Sequence, residues 1–334
     1  MTAWGADNAR ACGGRRKILT ILTAIGPIAR PPPRRQNRET AGNEDATARA
    51  RTARFDVTRI DSHQHFWRPS RGDYGWLNAA DFPKIARDFL PGDLASLLHA
   101  ANIDKTVLVQ AAPTTAETAF LLELAHATPF VAGVVGWVDF DAGDAASQIA
   151  RLSADAKLVG LRPMIQDIED PDWMLRPELA PALDAMQRGD LCLDALVKPR
   201  HLPALSEFLD RHPDLPVVID HGAKPDIAGH GHELWAVYMT HIGRSTNAVC
   251  KLSGLASEAG PGWNTKGLKL YVDDLLESFG PSRIMWGSDW PVLNEVGDYA
   301  SWLGAAEELT GHLTPAEREQ IFGGTASRFY GLDA

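Results

Sequence analysis

From residue 55 to the C-terminus, short runs of β-branched and aliphatic residues alternate with longer segments whose apolar positions recur at helical spacing. Eight runs read as strands: Thr58–His65, Lys105–Ala111, Phe130–Val138, Leu158–Met164, Leu191–Val197, Pro216–Gly222, Ala248–Leu255 and Arg283–Pro291. Between them lie helical patterns such as GDLASLLHAAN, AETAFLLELAHA, LPALSEFLDRH and LKLYVDDLLESFG, and PAEREQIFGGTASRFYG closes the chain. Pro and Gly punctuate their ends, where helices start and stop. Runs that are apolar through most of their length mark parallel strands covered by helices on both faces. Eight such units suit one (β/α)₈ TIM barrel, a fold of about 250 residues. A doubly wound open sheet is the runner-up.

A barrel makes a further demand, since its active sites sit at the C-terminal ends of the strands. The polar residues fall there. His63 and His65 close the first run, Arg162 the fourth, Asp220 and His221 the sixth, Ser253 the seventh and Asp289 the eighth, while Lys198 and His201 follow the fifth. Residues i and i+2 of a strand face the same side, so His63 and His65 present two imidazoles to one point. Together with Asp289 they suit a single divalent ion such as Zn²⁺. HxH alone recurs by chance, and a lone buried histidine such as His221 is more often a hydrogen-bonded core residue. The register at the strand ends favours function for both. Asp289, in MWGSDWP, lies between tryptophans where burial and a nearby cation would tune its carboxylate as a general base; otherwise it holds a turn. Arg162 either pairs with a structural carboxylate or polarises a substrate oxygen. Trp67 and Trp290 adjoin the pocket, and aromatic faces pack well against sugar C–H groups, although packing is the commoner role of tryptophan.

Composition and charge narrow the class. The 334-residue chain is 45% hydrophobic and 23% charged, as folded soluble proteins are. Residues 1–54 hold 11 of the 33 Lys and Arg and 4 of the 43 Asp and Glu, which leaves 22 against 39 for the rest. So acidic a body lacks the basic footprint of a nucleic-acid binder. Cys12, Cys192 and Cys250 are widely spaced with no CxxC pair, so neither a disulfide framework nor a cysteine metal site is indicated. The leader, residues 1–54, reads as a disordered basic segment or an over-long start, followed by one barrel domain over residues 55–334. Its Arg15-Arg16-Lys17 and the apolar run after them resemble an export signal, but Gly26-Pro27 breaks that run. A cytoplasmic protein with no membrane span is the expectation; homo-oligomerisation is left open.

Six motifs then carry a resemblance: DSHQHFW with RGDYGWL, GLRPMIQDIEDPDWM, LVKPRHLPAL, VVIDHGAKP, CKLSGL and MWGSDWPVLN. As a set, in this order, they resemble the amidohydrolase superfamily, and within it the sugar-lactonase branch. The resemblance covers nearly everything from residue 55 onward. It implies a distorted (β/α)₈ barrel that hydrolyses an aldonolactone, such as L-fucono- or L-galactono-1,4-lactone, to its aldonic acid in the catabolism of sugars such as L-fucose. By motif, His63, His65, His221 and Asp289 match positions that bind metal or do chemistry in the superfamily. Two departures argue against a binuclear site: Arg162 stands where binuclear members have a bridging Lys or Glu, and the fifth run carries no histidine. One Zn²⁺ or another divalent metal, or catalysis without metal, remains.

On this reading Asp289 deprotonates water, which attacks the lactone carbonyl, and the oxyanion is met by a metal or by His221 and Arg162. Gln166, Lys198, His201 and Lys224 are candidates to bind sugar hydroxyls or the emerging carboxylate. The chain has no GxSxG elbow, consistent with direct attack by water. The alternatives are a metal-dependent decarboxylase or a pyrone-dicarboxylate lactonase of the same superfamily, and a non-catalytic sugar-binding barrel.

Overall fold

The computed structural model describes residues 58–332, so the expected leader lies outside the described residues. All eight strand runs form strands of one parallel sheet in sequential order: β1 (Ile60–Gln64), β2 (Lys105–Val109), β3 (Val131–Gly136), β4 (Leu158–Leu161), β5 (Cys192–Ala195), β6 (Val217–Ile219), β7 (Val249–Leu252) and β8 (Ile284–Trp286). The order excludes a doubly wound sheet, whose strand order reverses at a switch point. Past the regular ladder, the N–H of His65 donates to the carbonyl of Trp290 at 2.7 Å and that of Asp289 to the carbonyl of His63 at 2.8 Å. These two bonds join the first strand to the last and close the barrel at its C-terminal end. Slips in register between β1 and β2, β2 and β3, and β3 and β4 distort it.

Helices alternate with the strands as the apolar spacing requires, and some of their first turns are capped by side chains. The Thr114 hydroxyl accepts from the N–H of Glu117, and Asn264 accepts from that of Gly267; each cap satisfies a donor the helix start would leave open. No helix among the described residues is long and apolar enough to cross a membrane. Within the barrel, Ile60, Val107, Val109, Val135, Val218, Val249 and Met285 pack with Cys192 into one cluster. Cys192 and Cys250 are buried and unpaired, as small apolar residues within strands would be. The closing segment packs Ala326, Tyr330 and Leu332 onto the same cluster. It therefore seals the end of the barrel opposite the polar residues.

Candidate active site

The strands are shorter than the apolar runs that announced them, and the shortfall lies where the polar residues begin. β6 stops at Ile219 and β8 at Trp286 because His221 and Asp289 take left-handed backbone conformations, with φ of 52° and 57°. Such conformations are uncommon for residues with a Cβ and persist where the surroundings over-determine them. Two glycines supply those surroundings. A Cβ on Gly254 would stand 2.6 Å from Nδ1 of His221, and one on Gly287 would stand 2.6 Å from Cβ of His63. Asp61 fastens the turn before Asp289, accepting the N–H of Ser288 at 2.8 Å and the hydroxyl of Tyr299 at 2.9 Å.

His65, Arg162, Gln166, His221, Lys224 and Asp289 line a cleft of about 300 Å³, with Trp76, Phe82, Met164, Leu196 and Val292 as its apolar walls. Its size is at the small end of the range for small-molecule sites. His63 is fully buried behind this lining, its Nε2 3.2 Å from Nε2 of His65. Lys224 is tied at the rim to Glu258 at 3.2 Å. Other expected residues lie outside the lining. Lys198 is exposed, and His201 turns back so that its Nδ1 accepts the N–H of Lys198 at 3.0 Å. Trp67 and Trp290 are buried. The indole N–H of Trp67 reaches the carbonyls of Ile85 and Arg87, holding the loop that carries Trp76 and Phe82. Trp76 is the tryptophan that faces the cleft.

Charge in the cleft is set by burial and by close partners. Burial alone would push the Asp289 carboxyl up, but the imidazoles of His221, His65 and His63 outweigh it and hold the group well below the usual carboxylate range. Burial lowers His221 to about 4 against the pull of Asp289 and Asp220, so its ring is neutral at neutral pH. The site thus pairs an ionised carboxylate with a neutral imidazole, with Nε2 of His221 3.9 Å from Oδ1 of Asp289. Nδ1 of His221 meets the Ser253 hydroxyl at 2.8 Å. Arg162 is nearly enclosed: Nη1 donates to Asp220 at 3.1 Å and Nη2 to the carbonyl of Gln110. Its charge acts on the cleft as a fixed field, its two amino ends already having acceptors.

The fit of a metal ion divides at His63. Nε2 of His63, Nε2 of His65 and Oδ1 of Asp289 are spaced 3.2, 3.3 and 3.8 Å apart, near the roughly 3.3 Å edge of a tetrahedron with zinc bonds of about 2.0–2.1 Å. The ligand atoms of His63, His221 and Asp289 also lie within 4.8 Å of one another. A ligating imidazole turns its other nitrogen, as N–H, to an acceptor. His65 does so, with Nδ1 2.8 Å from the carbonyl of Val109. His63 does not, because its Nδ1 faces the Lys251 ammonium at 3.1 Å, with Asp220 farther off at 3.6 Å. The groups that could offer an ion a lone pair are therefore His65, Asp289 and, in the tautomer whose Nδ1–H donates to the Ser253 hydroxyl, His221. An ion held there would polarise a carbonyl oxygen.

The sequence reading passed over Lys251, Asp194 and Asp61. The signal was present for the first two: each is a lone charge in an otherwise apolar strand run, the two are of opposite sign, and charges buried in a barrel must be paired.

A family model described as Amidohydrolase matches residues 60–332. The chain is 47% identical over 279 residues to a Burkholderia ambifaria protein named L-fucono-1,5-lactonase, covering 82% of this chain and 96% of that relative. A protein of the same name from Burkholderia multivorans is 37% identical over 288 residues, with 82% and 96% covered. Among solved structures, an amidohydrolase from Burkholderia multivorans with bound zinc superposes with a TM-score of 0.76 at 36% identity, over 83% of this chain and 100% of the other.

Proposed function

This chain belongs to the amidohydrolase family, and on that premise we propose that it is a lactonase that opens the cyclic ester of a sugar lactone, with L-fucono-1,5-lactone as the leading substrate. The observation that carries the proposal is the pairing, in one small cleft, of ionised Asp289 with neutral His221. Ester hydrolysis by water needs a proton acceptor for the nucleophile and a donor for the carbonyl oxygen, and these two groups supply them. Both relatives carry the six-membered 1,5 ring in their names, and on that ground the proposal moves away from the 1,4 ring expected at first.

Asp289 takes a proton from a water that attacks the lactone carbonyl. With Nδ1 accepting from the Ser253 hydroxyl, Nε2–H of His221 donates to the carbonyl oxygen and strengthens that bond as negative charge develops. Arg162 adds a fixed positive field behind it. When the tetrahedral intermediate collapses, the bond from the carbonyl carbon to the ring oxygen breaks. Asp289 then returns the proton to the departing alkoxide, leaving a hydroxy acid that ionises in water. Gln166 and Lys224 stand at the mouth to meet hydroxyls, and Trp76 offers a flat apolar wall to the C–H face of the ring.

The test is a pH-indicator assay of acid release on a panel of L- and D-aldonolactones with both ring sizes. Turnover of an L-fuconolactone, faster on the 1,5 ring than on the 1,4, is the expected result. An enzyme that hydrolyses none of the panel would end the lactonase reading.

A further inference from the structure

Beneath the cleft lies a buried polar chain that the proposed reaction does not use. Lys251 on β7 is fully enclosed, and its Nζ contacts three groups: Oδ2 of Asp194 at 2.5 Å, Oδ1 of Asp220 at 3.0 Å and Nδ1 of His63 at 3.1 Å. Asp194 on β5 is held from the sealed end of the barrel by the Tyr330 hydroxyl, 2.8 Å from Oδ2. We propose that Lys251 is a positioning residue for the reaction, fixing the His63 ring with its proton on Nε2 so that this N–H lies between the two acceptors His65 Nε2 and Asp289 Oδ1.

The argument runs along the contacts. An ammonium has only hydrogens to offer, so the His63 nitrogen facing it accepts, and the ring proton goes to Nε2. Nε2 of His65 carries a lone pair because its Nδ1–H is spent on the carbonyl of Val109. The 3.2 Å contact between the two Nε2 atoms is then a hydrogen bond from His63 to His65. In the opposite tautomer, an N–H would face the Lys251 ammonium and two lone pairs would face each other. The competing donor near Nε2 of His63 is Nη1 of Arg162 at 3.3 Å, and it has Asp220 at 3.1 Å as its own acceptor. Oδ1 of Asp289 stands 3.3 Å from Nε2 of His65 and 3.8 Å from Nε2 of His63, so the His63 N–H separates two acceptors that would otherwise repel, and a turned or re-protonated His63 would disturb the proposed base without touching the cleft wall. Only the functional consequence rests on the hydrolytic reading; the tautomer of His63 can be measured without it.

The experiment is nitrogen-15 NMR of histidine-labelled protein, with kinetics on variants. In the unaltered protein His63 is expected as the Nε2–H tautomer; finding it as Nδ1–H overturns the proposal outright, whatever the protein hydrolyses. Lys251→Met alone strands two buried carboxylates, so the double variant Lys251→Met with Asp194→Asn, which removes one charge of each sign, is measured beside it. The expected result is a folded protein whose His63 shifts to Nδ1–H and whose kcat on the best lactone falls about 10–100-fold, the usual cost of losing such a supporting partner, with KM within about threefold. Tyr330→Phe, which keeps Lys251 in place, should retain the tautomer and most of kcat. An unchanged tautomer and kcat in the double variant, or a change confined to KM, would reduce Lys251 to packing. No turnover in the unaltered protein, with His63 still Nε2–H, would remove the lactonase reading and leave this assignment of the ring standing.

Discussion

Gly254 lies directly against the His221 ring: a Cβ placed on it would stand 2.6 Å from Nδ1 and 2.7 Å from Cγ. Gly254 itself has φ of +67°, a conformation that residues with a Cβ rarely adopt. Gly254→Ala is therefore expected to push the imidazole off its line to the substrate carbonyl while leaving the barrel folded. Displacements of about 1 Å in such sites cost on the order of 100-fold in rate. Steady-state kinetics beside circular dichroism decides it: wild-type kcat in a folded Gly254→Ala protein would show that the ring's position is not critical.

Asp289→Asn keeps the size of the side chain and removes its ability to take a proton. General bases contribute about 10²–10⁴-fold, so the loss of kcat should fall in that range or beyond. Lactone affinity, read by calorimetry with a slowly hydrolysed analogue, should change little. A sugar-binding barrel without catalysis predicts the same retained affinity but has no turnover to lose, so activity of the unaltered protein separates the two.

Fold and site were legible to different depths, for a physical reason that particular residues show. The eight strand runs stood out because buried parallel strands need apolar residues on both faces, and each produced a strand. His65, Arg162, His221 and Asp289 line one cleft, as expected of strand ends that converge in a barrel. His201 was misplaced because sequence proximity to β5 says nothing of side-chain direction, and its ring closes a local turn instead. Trp67, expected at the pocket, is buried outside its lining and Trp76 faces it instead, because which tryptophan of a loop turns inward depends on the loop's path. Lys251 was missed because its partners Asp194, Asp220 and His63 come from three other strands, and only the closed barrel sets them side by side.

The site is expected to take up at most one metal ion. Arg162, rather than a carboxylate or lysine that could bridge two ions, follows β4, and its guanidinium lies 3.3 Å from Nε2 of His63. That position repels a second cation. After equilibration with excess zinc and gel filtration, elemental analysis should find no more than one equivalent per chain, and Asp289→Asn should bind less. Two equivalents in the unaltered protein would contradict the geometry.

A last prediction concerns stability, at a carboxylate outside the cleft lining. Glu117 is fully buried and accepts the N–H groups of Ala111 and Ala112 at the end of β2, at 3.0 and 2.7 Å. Burial raises its carboxyl from 4.5 to about 7, against the pull of those N–H groups. A raised acid binds its proton more tightly folded than unfolded. Its contribution is therefore fully present below pH 4.5 and is lost as pH rises through about 7. At roughly 1.4 kcal/mol per pKa unit, the change amounts to about 3 kcal/mol. Glu117→Gln abolishes the titration, although its amide satisfies the two N–H groups less well and lowers stability at every pH. Urea denaturation at pH 5 and pH 8 should show the unaltered protein losing stability relative to the variant as pH rises, so that the gap between them narrows. A gap that stays constant across that interval would mean that Glu117 is already ionised in the folded protein at pH 5, held so by the backbone donors of β2.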